Sequence, residues 1–191
     1  MLNASIAMNT KGWTAGQRVK LLREAAQEGG YEHSIPWEDL MATDFFVAPA
    51  STKYHGAYAG GLFDHSMNVV NTLCYLSAMG VIEWQRVESP MVVGLFHDAT
   101  KIGKYAVNET NDGFIYAPKE DTLIYGGHGA ESVIRVQQWM ELTEEEAMCI
   151  RFHMGAYEKD DWEAYGLAIK RYPNVLWTHT ADMVASKILE S

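Results

Sequence analysis

The sequence predicts an all-α helical bundle with a small hairpin or loop excursion around residues 105–120. Three observations carry that expectation. Apolar residues recur at helical spacing, as in Leu62, Val69, Val70, Leu73 and Leu76. Helix starts and stops punctuate the chain: Thr14 with Gln17 and Thr143 with Glu146 read as capping boxes, and Gly29-Gly30 and Gly80 as stops. A single stretch breaks the pattern, with Asn111-Asp112-Gly113 set between two short β-prone runs.

Taken in order, the first helix follows Thr14 through "RVKLLREAAQ" and ends at Gly29-Gly30. Ser34 and Pro36 begin a short helix to about Met41, because proline fits the first turn, where its missing N–H costs nothing. A connector leads to a long helix from about Ala57 to Met79, closed by Gly80. Ser89-Pro90 opens the next, "MVVGLFHDATKIG". After the excursion, helix resumes from about Thr122 to Met140, again from Thr143 to about Met154, and briefly from Trp162. Pro173 begins the last, which reaches about Leu189.

The 191 residues fit one domain with a small appendage: residues 1–52 as an N-terminal helical extension packed on the core, and 53–191 as the main domain. Hydrophobic content of 48% against 21% charged predicts a packed core rather than disorder. Apolar runs such as Met91 to Phe96 are far shorter than the ~20 residues a bilayer demands. The first residues lack the charged-then-apolar signature of a secretory signal. Cys74 and Cys149 read as core thiols, so a reducing cytoplasm is expected. The net charge of −10, with fifteen scattered Lys and Arg, disfavours long nucleic acid as a partner. It leaves small phosphorylated compounds open if metal cations supply the positive charge.

The informative stretch is "GLFHDATKIGKY", which sets His97 beside Asp98 after an apolar run. His65, His128, His153 and Asp182 likewise stand in apolar helical segments without sequence-local partners. One buried histidine is ordinarily a hydrogen-bonded core residue. Five segments that each bury an imidazole or carboxylate would be costly separately, whereas gathered around divalent cations they offset one another's cost. Imidazole with carboxylate suits Mn, Fe, Co, Ni or Zn, and no cysteine joins to suggest a structural zinc. A carboxylate can bridge two metals while each imidazole binds one. The set therefore divides into one site of His65, His97, Asp98 and Asp182 and another of Asp98, His128 and His153.

From about Lys53 onward, this H…HD…H…H…D order resembles the HD-domain metal-dependent phosphohydrolases. The residues that carry it are His65 in "GGLFDHS", His97-Asp98-Ala99-Thr100-Lys101, His128, His153 and Asp182. The six-ligand version resembles the two-metal branch. "HGAYAGGLFDHSMNVV" is most similar to the HD domain of bacterial 3′–5′ exoribonucleases. No Gly-Tyr-Pro follows His153, Met154 stands where the family often has a second His, and nothing long and basic precedes Thr52. The resemblance implies an HD-domain helical bundle holding two divalent transition metals. It also implies hydrolysis of a phosphate ester, of a nucleotide or similar small compound, by hydroxide at the dinuclear centre beside Asp98.

Lys101, three residues after Asp98, would steady a phosphate oxygen. His55 is a candidate to touch substrate or move a proton, as are Arg151 and Lys170-Arg171 to meet phosphate. Tyr125, Tyr157 and Trp162 are candidates to stack on a base. His179 would support a ligand from behind, while Asp64 should face away from the site and His33 is ordinary. Two rival classes use the same residues: a di-iron HD-type oxygenase consuming O₂, and a non-catalytic HD ligand-binding module.

Overall fold

The computed structural model describes residues 7–110, 113–119, 127–156 and 161–190. The fold is mainly α-helical with one two-stranded sheet. Its helices are α1 (Ala15–Gly29), α2 (Trp37–Met41), α3 (Gly61–Ala78), α4 (Ser89–Phe96), α5 (His128–Val136), α6 (Glu144–Arg151), α7 (Asp161–Arg171) and α8 (Asn174–Val184). Strands β1 (Tyr105–Thr110) and β2 (Gly113–Pro118) pair antiparallel with Tyr105 opposite Pro118, which is the hairpin expected between residues 105 and 120. Among the described residues, no helix is long and apolar enough to cross a membrane.

Both capping boxes form. Thr14 accepts from the Gln17 backbone and Gln17 returns to the Thr14 backbone, and Thr143 does the same with Glu146. Gly30, with φ 74°, stops α1 by donating to the Ala26 and Gln27 carbonyls.

Four helix limits depart from expectation. α5 ends at Val136 rather than running to Met140, with turns over the next residues. α3 starts at Gly61 rather than near Ala57, because Gly60 stands at φ 90° and cannot continue a helix backwards. α4 ends at Phe96 instead of running through Gly103. His97 caps it, Asp98 leaves helical geometry at φ −104°, ψ 25°, and Ala99–Lys101 tighten into a 3₁₀ turn. α6 stops at Arg151, a few residues before Met154. The start of the helix expected at Thr122 lies outside the described residues, and α5 is described from His128.

α3 is the central element, buried along most of its length and packed against α4 and α8, while α6 packs on α4, α5 and α8. The α3–α4 crossing is close because Gly94 faces Val70: a methyl group at Gly94 would come within 2.7 Å of the Val70 backbone nitrogen. That approach brings the α3 side chain His65 to the end of α4, where His97 and Asp98 sit.

Segment 7–60 is tied to α3 through buried polar groups as well as the shared core. Arg18 of α1 is almost fully buried and donates to the carbonyls of Thr10, Phe46 and Ala59 and to the Thr10 hydroxyl. Asp64 of α3 accepts from the Thr10 backbone, the Thr10 hydroxyl and the Tyr58 hydroxyl. It makes these contacts on the N-terminal segment, while its neighbour His65 turns toward Asp98 and Asp182. Phe45 and Phe46 complete the junction by packing edge-on or tilted against Phe63.

Candidate metal centre

His65, His97, Asp98 and His153 are fully or almost fully buried, and they come from α3, the end of α4 and the turn after α6. His65 Nε2 lies 3.1 Å from His97 Nε2 and 3.1 Å from Asp182 Oδ1. Asp98 Oδ2 stands 3.5 Å from both imidazole nitrogens, and its Oδ1 stands 3.5 Å from His153 Nε2. Asp98 thus turns one oxygen to the His65–His97 pair and the other to His153, the disposition of a carboxylate that can serve two positions.

The outer nitrogen of each of these three rings is already engaged. His97 Nδ1 donates to the Gly94 carbonyl at 2.9 Å, and His153 Nδ1 donates to the Ile150 carbonyl at 2.7 Å. A carbonyl can only accept, so both rings hold their proton on Nδ1. His65 Nδ1 faces Glu190 Oε1 at 3.0 Å. The three Nε2 atoms therefore point inward together with the carboxylates of Asp98 and Asp182. Asp98 Oδ1 and His153 Nε2 are buried with no hydrogen-bond partner. His97 Nε2, His153 Nε2 and the two carboxylates are inward acceptors that call for positive charge, which protonated His65 partly supplies in the metal-free fold. Imidazole nitrogens with carboxylate oxygens, each ring oriented from behind, are also the donor set of a divalent transition-metal site.

Among the described residues, two trios bring one potential ligand atom each within 4.8 Å of the others: His65–His97–Asp182 and His55–His65–Glu190. The first is the core of the first expected site. Asp98, His128 and His153 do not form a third trio at that spacing. His128 is half-buried at the start of α5, with its Nδ1 buried and unpartnered.

Electrostatics follow from burial and these contacts. Burial disfavours the charged form of His65, yet Asp182 and Glu190 outweigh it and hold the imidazole up at about 10. Burial pushes His97 down to about 4, and neighbouring His153 and His65 reinforce it. Burial disfavours the Asp98 carboxylate too, but Lys101, His97 and His153 overcome this and hold it well below the usual carboxylate range. Lys101 Nζ is 2.6 Å from Asp98 Oδ2 and little exposed. The 3₁₀ turn makes that contact, since positions three apart eclipse in it.

The lesser candidates separate. His55 is half-buried with its ring 4.9 Å from that of His65, and burial lowers its pKa. His179 Nδ1 donates to the His153 carbonyl at 2.8 Å, so it supports the backbone of a cluster residue. Arg151 is exposed, lies over the Phe152 ring and reaches Asp161 at 3.9 Å, contacts that leave it outside the cluster. Arg171 pairs with Glu144 on the surface, and Trp162 is exposed. Tyr125 and Tyr157 lie outside the described residues.

Glu190 was not anticipated. In the sequence it is one more acid after an amphipathic run, 125 positions from His65, and only the winding after α8 brings it in.

His65 and His97, shifted in opposite directions, give a pH prediction for the chelated protein. His97 stays neutral in the fold while the unfolded chain protonates, so its contribution is present above pH 6.5 and is lost as pH falls toward 4. His65 keeps its proton in the fold, so its contribution is present below pH 6.5 and is lost as pH rises toward 10. The unfolding free energy from urea denaturation should peak near the ordinary histidine pKa and fall on both sides, by up to about 1.4 kcal/mol per pH unit for each histidine that titrates. A profile flat across that range would contradict the assignment.

No family model matches the chain, and no curated protein or solved structure is significantly similar to it.

Proposed function

We propose that the protein is a metal-dependent phosphohydrolase of the HD-domain type, acting on a phosphate ester of a nucleotide or another small phosphorylated compound. The observation that carries the reading is the convergence of three imidazole Nε2 atoms and two carboxylates on one buried cluster with a lysine at its edge. His65, His97 and Asp182 would hold one cation, with Asp98 shared toward His153 and His128. Bound divalent cations supply Lewis acidity and a nucleophilic water at neutral pH.

The chain's own groups do the rest. Asp98, kept ionised by Lys101, accepts hydrogen bonds and cations without taking up a proton near neutrality. Lys101 lies beside it and offers an ammonium to a phosphoryl oxygen as charge develops there. His55, neutral near pH 7 because burial disfavours its charge, can accept a proton at the edge of the cluster. The acidic chain suits a small substrate better than a polymer, since long phosphate backbones are repelled without a basic face.

Lys101→Ala should separate these roles. Metal content is expected to hold or rise, because Asp98 loses a competing cation, while kcat falls about 10²–10³-fold. Loss of metal instead would make Lys101 structural.

The deciding assay incubates Mn²⁺-, Fe²⁺- or Ni²⁺-loaded protein with a panel of nucleotides and phosphodiesters and follows release of phosphate or nucleoside monophosphate. Metal-dependent hydrolysis is expected. Substrate-dependent O₂ uptake by iron-loaded protein, with no ester cleaved, would replace this reading with the di-iron oxygenase. Ligand binding without turnover of any kind would leave a non-catalytic module.

A further inference from the structure

We infer that Glu190 is a positioning residue that fixes the imidazole of His65 from behind, so that His65 Nε2 faces the cluster; the inference rests on the metal-site reading above. Glu190 Oε1 accepts from His65 Nδ1 at 3.0 Å and from Asn68 Nδ2 at 3.0 Å. Asn68 is itself buried on α3, one turn beyond His65, and its own Oδ1 accepts from the Met8 backbone at 2.7 Å. The carboxylate is therefore gripped at two points on one helix face. Its side chain is 8% exposed, and its second oxygen is buried without a partner.

The winding after α8 is what delivers it. Asp182 and Glu190 approach opposite nitrogens of the same ring, Asp182 at Nε2 and Glu190 at Nδ1. On a regular α-helix, eight residues would carry Glu190 roughly 80° away from the Asp182 face. Residues Ala185–Leu189 instead form a π-helical turn, with the Glu190 N–H donating to the Ala185 carbonyl five residues back. That wider turn rotates less per residue and returns Glu190 to the face that carries Asp182. Two carboxylates from one winding thus clamp one imidazole.

A direct ligand role for Glu190 is the competing use of the same atoms, because His55, His65 and Glu190 also lie within 4.8 Å of one another. It is disfavoured by the chemistry of the ring. His65 has two nitrogens, and Nε2 is committed to His97 and Asp182. A cation at Nδ1 as well would require removing both ring protons, whereas a proton on Nδ1 satisfies Glu190 and leaves Nε2 with its lone pair.

The test compares native chain, Glu190→Ala and Glu190→Gln. Zn²⁺ and Mn²⁺ affinities are measured by competition with a chromophoric chelator, alongside ¹⁵N spectra of histidine-labelled protein with and without Zn²⁺. Glu190→Ala should weaken Zn²⁺ binding roughly 10–100-fold and speed exchange of the His65 Nδ1–H signal. Glu190→Gln, whose amide oxygen still accepts from Nδ1–H, should restore most of both. Unchanged affinity and an unchanged His65 signal in Glu190→Ala would overturn the inference. So would loss of one whole metal equivalent with the remaining affinity intact, which would make Glu190 a ligand. Should the native chain bind no metal, the metal reading fails by itself, and the metal-free spectra still decide whether Glu190 orders His65.

Discussion

Asp98→Ala should empty the centre and stop turnover while leaving the helical fold in place. Among the described residues, Asp98 is the one with an oxygen toward the His65–His97 pair and another toward His153. Its removal takes a shared anion from a cluster of imidazoles. The expected result is loss of bound transition metal after gel filtration and a fall in activity to background, more than about 10³-fold below the native rate. Asp98→Asn keeps the shape but not the charge and should fail in the same way, which separates electrostatics from packing. Far-ultraviolet circular dichroism should stay native-like in both. An active, metal-replete Asp98→Ala protein would sink the model.

The largest effect on stability is expected far from the cluster, at Arg18. Its guanidinium is almost fully buried and satisfies three carbonyls and a hydroxyl drawn from three separate stretches of chain. Arg18→Ala removes every guanidinium donor at once, takes the Arg18 partner from the Phe46 and Ala59 carbonyls, leaves the Thr10 carbonyl only its bond from the Trp13 N–H, and opens a void. A loss of about 3–5 kcal/mol is expected in urea unfolding. Arg18→Met should recover the packing part alone, because it fills space but donates nothing. The Ala59 carbonyl that Arg18 holds directly precedes Gly60 and the start of α3. A methyl group at Gly60 would lie 2.1 Å from the Arg18 guanidinium carbon, so the two positions fit each other. If Arg18→Ala costs less than about 1 kcal/mol, the buried network does not anchor α3.

What could be read in the sequence was what local chemistry decides. Thr14 with Gln17 and Thr143 with Glu146 carry their own hydrogen-bonding partners within four residues, so both helix starts were legible. The hairpin was legible from Asn-Asp-Gly between β-prone runs. The approach of His65, His97 and Asp182 could be anticipated because each is a polar residue in an apolar helix with nothing nearby to satisfy it.

What escaped depends on distant packing or on backbone winding. Arg18 sits among Gln17, Lys20 and Arg23 and looks like one more solvated charge; its acceptors, the Phe46 and Ala59 carbonyls, lie 28 and 41 residues away. Asp64 does turn from the His65 side, but into buried bonds with Thr10 and Tyr58 rather than into solvent. α4 ends at Phe96 although "HDATK" has helical periodicity, because Asp98 leaves the helix and lies within 2.6 Å of the Lys101 ammonium. Glu190 needs a π-helical turn to reach His65, and a single insertion in helical winding leaves no mark in residue spacing.

The central claim is that the inward-facing nitrogens and carboxylates are a metal site. The most direct measurement is elemental analysis of the protein purified without chelator, repeated after Mn²⁺, Fe²⁺, Ni²⁺ or Zn²⁺ is added and excess removed. About two transition-metal ions per chain are expected, falling when His65, His97 or Asp98 is replaced by alanine. A native chain that retains none of these metals, while folded and carrying all six residues, would contradict the account.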